Sequence, residues 1–172
     1  MIEVYDDFFS VDIHEQVFNE LSTRPWTFSG GGTKANYDTE KYGQPPLSRF
    51  WHIDFLEKEE FFNKYLFDII CQKLNKSFNY KRIYANGQTS TQDGVPHTDD
   101  GDITLLYYPN PEWKVHYAGH LIFLDGDEII KTVSYKPNRV VLFSSKIWHC
   151  ALAPSIQFKF LRMSLAYKLL LK

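Results

Sequence analysis

Cysteine is scarce in this chain. Cys71 and Cys150 are the only two in 172 residues, and they fall in no Cys-x-x-Cys or zinc-ligand spacing. That excludes a disulfide framework and a zinc finger, and makes a reducing, cytoplasmic location the expectation. Neither sign of charge dominates: 19 Lys and Arg stand against 21 Asp and Glu, a formal net charge of −2. A chain that grips phosphates through bulk charge needs a basic excess, so nucleic acid is not the expected partner. No apolar run approaches the roughly 20 residues that span a bilayer. The opening Met1-Ile2-Glu3-Val4-Tyr5-Asp6-Asp7 has no basic start followed by an apolar stretch, so it does not read as a secretion signal, and no membrane partner is expected. Repeats and low-complexity tracts are absent too. Aromatics, by contrast, are plentiful at 17 %, with fourteen Phe, eleven Tyr and four Trp. The length suits one domain, residues 1–172, large enough to bury roughly 68–70 % of its unfolded surface.

Apolar periodicity changes midway along the chain. Up to about residue 80 it is helical. Ser10 is a candidate N-cap for a helix carrying Ile13, Val17, Phe18 and Leu21, which Arg24-Pro25 should end. Glu57 to about Asn75 predicts a second helix, with Glu57, Glu59 and Glu60 at the positive end of its dipole and an apolar stripe from Phe61 to Leu74. Between them, Ser29 to Ser48 carries Gly30-Gly31-Gly32 and Pro45-Pro46 and reads as a long loop, a candidate lid. From residue 81 onward the pattern becomes short strands: Arg82–Ala85, Ile103–Tyr108, His120–Leu124, Val133–Tyr135, Arg139–Phe143 and Leu161–Leu169. Turn signals such as Asn86-Gly87, Asp100-Gly101 and Asp125-Gly126 separate them. The expectation is a mainly β, α+β domain: a sandwich or barrel of strands (81–172) supported by N-terminal helices and a lid loop (1–80).

Six histidines are present, and two of them stand in a telling context. In Pro96-His97-Thr98-Asp99, His97 and Asp99 are two apart and project to one face of an extended chain. His149 follows fifty residues after Asp99, at the end of the apolar run from Arg139. A strand returning across a barrel would bring it opposite that pair, making the two-histidine, one-carboxylate facial triad that holds Fe(II) and leaves positions open. Thirteen residues beyond His149 comes Arg162, sharing a strand face with Ser164. An arginine in an apolar strand calls for an anion, and its planar fork suits a carboxylate.

His97-Thr98-Asp99, His149 and Arg162-Met163-Ser164, in that order, resemble the 2-oxoglutarate/Fe(II)-dependent dioxygenases, closest to the prolyl hydroxylase branch. The resemblance covers about Arg82 to Leu169. It extends to Ile103-Thr104-Leu105-Leu106-Tyr107-Tyr108-Pro109 and to the strand led by Ala118-Gly119-His120, where the family commonly has Gly-Gly. It implies a double-stranded β-helix (jelly roll) core. It further implies that His97, Asp99 and His149 ligate iron, that Arg162 and Tyr108 hold the distal carboxylate of 2-oxoglutarate, that Ser164 and Thr104 assist from the same face, and that Tyr84 lies near the metal end of the cosubstrate. In many prolyl 4-hydroxylases a lysine holds that carboxylate, and the resemblance makes Lys159, ten residues after His149, a rival; Arg162 sits better within the apolar strand.

The activity so implied is hydroxylation of a C–H bond, of prolyl 4-hydroxylase type, on a protein or peptide with a target proline. O₂ and 2-oxoglutarate would be consumed, succinate and CO₂ released, and ascorbate would serve as reductant. Tyr37, Tyr42, Trp51 and Trp148, with His52, are candidates for gripping substrate. A free amino acid, a small molecule or an alkylated nucleobase is the alternative substrate. A non-catalytic, metal-binding jelly-roll module is the alternative of another class. Oligomeric state is not legible.

Overall fold

The computed structural model describes residues 1–30 and 49–172. Ten strands are seen there: β1 (Ile2–Tyr5), β2 (Thr27–Gly30), β3 (Arg49–Ile53), β4 (Phe78–Gln88), β5 (Ile103–Tyr107), β6 (Leu121–Asp125), β7 (Glu128–Val133), β8 (Val140–Ser144), β9 (Trp148–Ala151) and β10 (Arg162–Leu171). Two helices accompany them, α1 (Val11–Ser22) and α2 (Phe67–Leu74). Seven strands form one sheet in the order β1-β8-β5-β10-β4-β3-β2, and three form another in the order β7-β6-β9. Every pairing is antiparallel.

The large sheet is covered on both faces, and side-chain alternation sorts residues between them. Met163, Leu165, Tyr167 and Leu169 of β10, Ile103, Leu105 and Tyr107 of β5, and Val140 and Leu142 of β8 pack with Val17, Leu21, Phe62, Leu66 and Ile70 on the helical side. Val141 and Phe143 of β8 and Tyr108 beyond β5 turn the other way, toward Leu121, Phe123 and Val133 of the small sheet. Strand β10 is buried on both faces yet still alternates, with Met163, Leu165, Tyr167 and Leu169 on the helical side and Arg162, Ser164 and Lys168 on the other.

The N-terminal region differs from its expectation in two ways. It supplies β1, β2 and β3 to the large sheet as well as helices, and β4 begins at Phe78, so the change of period near residue 80 falls inside a strand. The helix expected over Glu57–Asn75 is broken. Phe55 is left-handed, a 3-10 turn spans Leu56–Lys58, Glu59 is extended, and a π-helical turn over Phe61–Leu66 leads into α2. Two of the acidic residues read as dipole partners make tertiary contacts instead: Glu57 Oε2 accepts the Ile83 N–H at 3.0 Å, and both Glu59 oxygens accept from Arg24 Nη1 at 2.7 and 2.8 Å. Asn75 ends α2 in the left-handed conformation, as a C-terminal asparagine does. Ser10 occupies the N-cap of α1 without a side-chain cap bond.

The N-terminal segment is pinned by one residue of the β7–β8 turn. Asn138, at φ 56°, accepts the Phe9 N–H at 2.9 Å and donates to the Phe9 carbonyl at 2.8 Å, and its own carbonyl accepts from Phe8 N–H at 2.9 Å. Asn138→Ala removes both side-chain bonds and puts alanine in a left-handed conformation. It is expected to cost about 2–3 kcal/mol, read as a lowered urea midpoint with an unchanged slope.

Candidate metal centre and its cavity

The stretch 94–99 runs antiparallel to 145–151. Gly94 N–H donates to Ala151 O at 2.8 Å and Asp99 N–H to Ser145 O at 2.8 Å. Between these, His97 and His149 exchange both backbone hydrogen bonds at 3.0 Å, making them a directly opposed pair. Their rings stand with centroids 4.5 Å apart. Asp99, two residues on, points to the same side as His97, and one donor atom from each of His97, Asp99 and His149 lies within 4.8 Å of the others.

The tautomers suit metal ligation. His97 Nδ1 is 2.8 Å from Val95 O, and His149 Nδ1 is 2.8 Å from Ile147 O. A carbonyl only accepts, so each Nδ1 carries the proton and each Nε2 offers a lone pair. The two Nε2 atoms face Asp99, at 3.5 Å from Oδ1 and 3.3 Å from Oδ2. Burial lowers the pKa of His149 against the pull of Asp99, keeping the imidazole in the neutral form a metal needs.

Asp99 is 2 % exposed and has a buried cation of its own. Lys168 Nζ contacts Oδ2 directly, and Thr104 Oγ1 donates to the same oxygen at 2.7 Å. Ser145 Oγ holds Thr104 in turn at 3.0 Å. Burial alone would raise the Asp99 pKa; the Lys168 ammonium outweighs it and keeps the carboxyl well below its usual range. Burial likewise works against the Lys168 charge, and Tyr84 and Asp99 restore it. Lys168 escaped the sequence reading, although the signal was available: Arg162, Ser164, Ala166 and Lys168 are all of one parity.

These groups open into a cavity of about 390 Å³. Tyr84, Asn86 and Gln88 of β4, Ser164 and Lys168 of β10, Leu106 and Leu121 wall it, and Ser29, Phe50, His52, Asp54 and Arg82 stand around it as well. Tyr84 and Ser164 thus lie in the cavity, and Thr104 touches the ligating carboxylate. Trp51 and Trp148, read as gripping residues, are not among the cavity residues. Strand alternation turns Phe50, His52 and His149 inward and these two indoles away, and Trp51 packs on Phe28 at 4.9 Å. Tyr37 and Tyr42 lie outside the described residues.

Arg162 is 1 % exposed and sits behind Gln88. It donates through Nε to Gly119 O at 3.0 Å and through Nη1 to Gln88 Oε1 at 2.9 Å, with its guanidinium 4.9 Å from the Tyr135 ring centroid and 5.5 Å from that of Tyr108. Its Nη2 and the Tyr108 hydroxyl are both buried without a hydrogen-bond partner. No carboxylate among the described residues pairs with it, and burial lowers its pKa. Gly119, at φ 71°, lets the arginine in: a Cβ there would meet Arg162 Cδ and Nε at 3.0 Å. Lys159, the rival, is exposed and donates to Ile156 O at 2.7 Å.

Solved structures share this architecture. A prolyl hydroxylase from Trichoplax adhaerens, in complex with a hypoxia inducible factor oxygen degradation domain peptide fragment, superposes with a TM-score of 0.67 at 17 % identity, over 98 % of this chain and 83 % of that one. A prolyl-4-hydroxylase from Pseudomonas putida gives 0.61 at 15 % identity over 99 % and 92 %. HygX from Streptomyces hygroscopicus, with nickel, 2-oxoglutarate and hygromycin B bound, gives 0.68 at 10 % identity over 99 % and 83 %. No protein-family model matches the sequence, and no curated protein does. The likeness is therefore one of fold, and it bears out the double-stranded β-helix expected from the sequence. No helix among the described residues is long and apolar enough to cross a membrane.

Removing Lys168 while keeping Asp99 tests the electrostatics of the centre. Lys168→Met leaves a buried carboxylate without its cation, at an expected cost of about 3–5 kcal/mol. A divalent cation restores the missing charge, so Mn(II) or Co(II) should raise the melting temperature of Lys168→Met more than that of the unaltered protein. Equal shifts in the two would show that Lys168 does not carry the charge balance.

Proposed function

We propose that this protein is an Fe(II)- and 2-oxoglutarate-dependent oxygenase that hydroxylates a C–H bond. The observation that carries the reading is the convergence of His97, Asp99 and His149, with both Nε2 lone pairs turned toward Asp99 by the carbonyl contacts at Nδ1. One carboxylate and two neutral imidazoles are the donor set for ferrous iron. The cosubstrate fits a second observation. A buried guanidinium without an acid and a buried phenol without a partner, Arg162 and Tyr108, have the chemistry to receive one end of a dicarboxylate.

In this reading His97 and His149 bind the metal through Nε2 and Asp99 through a carboxylate oxygen. Thr104 and Lys168 steady Asp99 through Oδ2. Arg162 and Tyr108 orient the 2-oxo acid, with Ser164 and Tyr84 on the cavity wall. Iron with 2-oxoglutarate and O₂ supplies an oxidant for an unactivated C–H bond, with succinate and CO₂ as co-products. The walls of Leu106, Leu121 and Tyr84 keep water from the reacting carbon.

For the substrate we infer a peptide or protein with a target proline, supported by the fold shared with two prolyl hydroxylases, one of them holding a peptide. A second reading, a small polar molecule, is favoured by the cavity lining, where Ser29, His52, Asp54, Arg82 and Asn86 are polar and neither Trp51 nor Trp148 takes part. The test is succinate formation with Fe(II), 2-oxoglutarate and ascorbate in the presence of a proline-rich peptide array or a panel of polyhydroxylated small molecules. A product gain of one oxygen in mass identifies the class; absence of 2-oxoglutarate turnover with every candidate removes the oxygenase reading.

Arg162→Ala is expected to raise the 2-oxoglutarate concentration needed for half-maximal turnover about tenfold to a hundredfold, the loss of hydrogen bonds to a charged group. Lys159→Ala should leave it unchanged. Titration of 2-oxoglutarate into each variant gives the comparison, and the reverse order would assign the role to Lys159.

A further inference from the structure

The cavity mouth holds three polar side chains that the metal chemistry does not use. Ser29 lies on β2, His52 on β3 and Asp54 just past its end. Thr27 pairs with His52 and Ser29 with Phe50 in the β2–β3 ladder, so Ser29 and His52 are diagonal neighbours on one face, and both line the cavity. His52 Nδ1 is 2.8 Å from Asp54 Oδ2, and His52 Nε2 is 2.6 Å from Ser29 Oγ. The carboxylate only accepts, so Nδ1 carries the proton of the neutral imidazole and Nε2 presents a lone pair. The Ser29 hydroxyl then donates to it, leaving the serine oxygen's lone pairs free.

We propose that Ser29 is an activated nucleophile, with His52 as its general base and Asp54 orienting His52, and that this site takes small carboxylic esters. A nucleophile within hydrogen-bond reach of a base that is itself held by a third group is the arrangement acyl transfer requires, whatever fold carries it. Two strands of one sheet fix the serine and the histidine. Asn86 is the cross-strand partner of His52 in the β3–β4 register and lines the same cavity, which puts an amide donor on the same wall as the base. Arg82 is less suited to that role because it pairs with Asp100 at 2.9 Å.

The steps balance. Ser29 Oγ bonds to the ester carbonyl carbon while its proton passes to His52 Nε2. The ester C–O bond breaks and the departing alkoxide takes that proton. Water then attacks the acyl-serine, giving up its proton through His52, and releases the carboxylic acid. The metal centre takes no part, so the proposal stands or falls separately from the oxygenase reading.

The test uses the whole chain with chelator present. A fluorophosphonate forms an O–P bond to an activated serine and expels fluoride. One adduct per chain is expected, mapped by peptide mass spectrometry to Ser29 and formed about a hundredfold faster than in the urea-unfolded chain. His52→Gln should slow it by a similar factor, and Ser29→Ala should abolish it. The unaltered protein should also release p-nitrophenolate from p-nitrophenyl acetate, and prior labelling should stop that release. Labelling no faster than in the unfolded chain, an adduct on another serine, an unchanged rate in His52→Gln, or ester cleavage that survives complete labelling overturns the proposal.

Discussion

A carboxylate taken out of water has to be met by positive charge, and the centre of this molecule is built around that demand. Asp99 lies between the two sheets, where an isolated anion would be prohibitively costly. Lys168 meets it from β10 and Thr104 from β5, while the Nε2 atoms of His97 and His149 face it from a paired strand segment. The charge requirement therefore ties the stretch between β4 and β5 to the large sheet. A metal ion arriving there enters a site whose anion already has a counter-ion, so the donor set is held in place before the ion binds.

Strand β10 is the spine that makes this possible. One of its faces, through Met163, Leu165, Tyr167 and Leu169, belongs to the apolar core under the helices. The other carries two buried cations six residues apart: Lys168 against the ligating carboxylate, and Arg162 deeper in, with an unpartnered guanidinium nitrogen. The cavity wall between them holds Ser164 and, from β4, Gln88. In the proposed function, a dicarboxylate would lie along this axis with one end at a metal and the other at the guanidinium. Gly119 contributes by omission, since only a residue without Cβ lets the Arg162 stem pass at that left-handed turn.

The mouth of the cavity has a different chemistry. There β2 and β3 carry Ser29, Phe50 and His52 inward, and the indoles that look most suited to gripping a substrate face elsewhere. The same alternation that brings His149 opposite His97 turns Trp148 away. Residue type alone pointed to the aromatic side chains; geometry points to the polar ones.

Much of this was legible in the linear chain. The spacing of His97 and Asp99 determines that they share a face, because alternation is local. The turn residues and the short apolar runs mark strands from residue 81 onward, but the pattern missed β1, β2 and β3 ahead of them. The Arg162-x-Ser164 parity places both on one face, and carried two steps further it marks Lys168. What the chain could not show are the meetings across distance. His149 opposite His97, Lys168 on Asp99 and Ser29 against His52 are long-range pairings set by sheet register, and the break in the Glu57–Asn75 helix coincides with the tertiary contacts of Glu57 to Ile83 and of Glu59 to Arg24. Local pattern decides which way a side chain points; only the packed sheets decide what it meets, because burial makes each polar group find its partner wherever the fold has brought one.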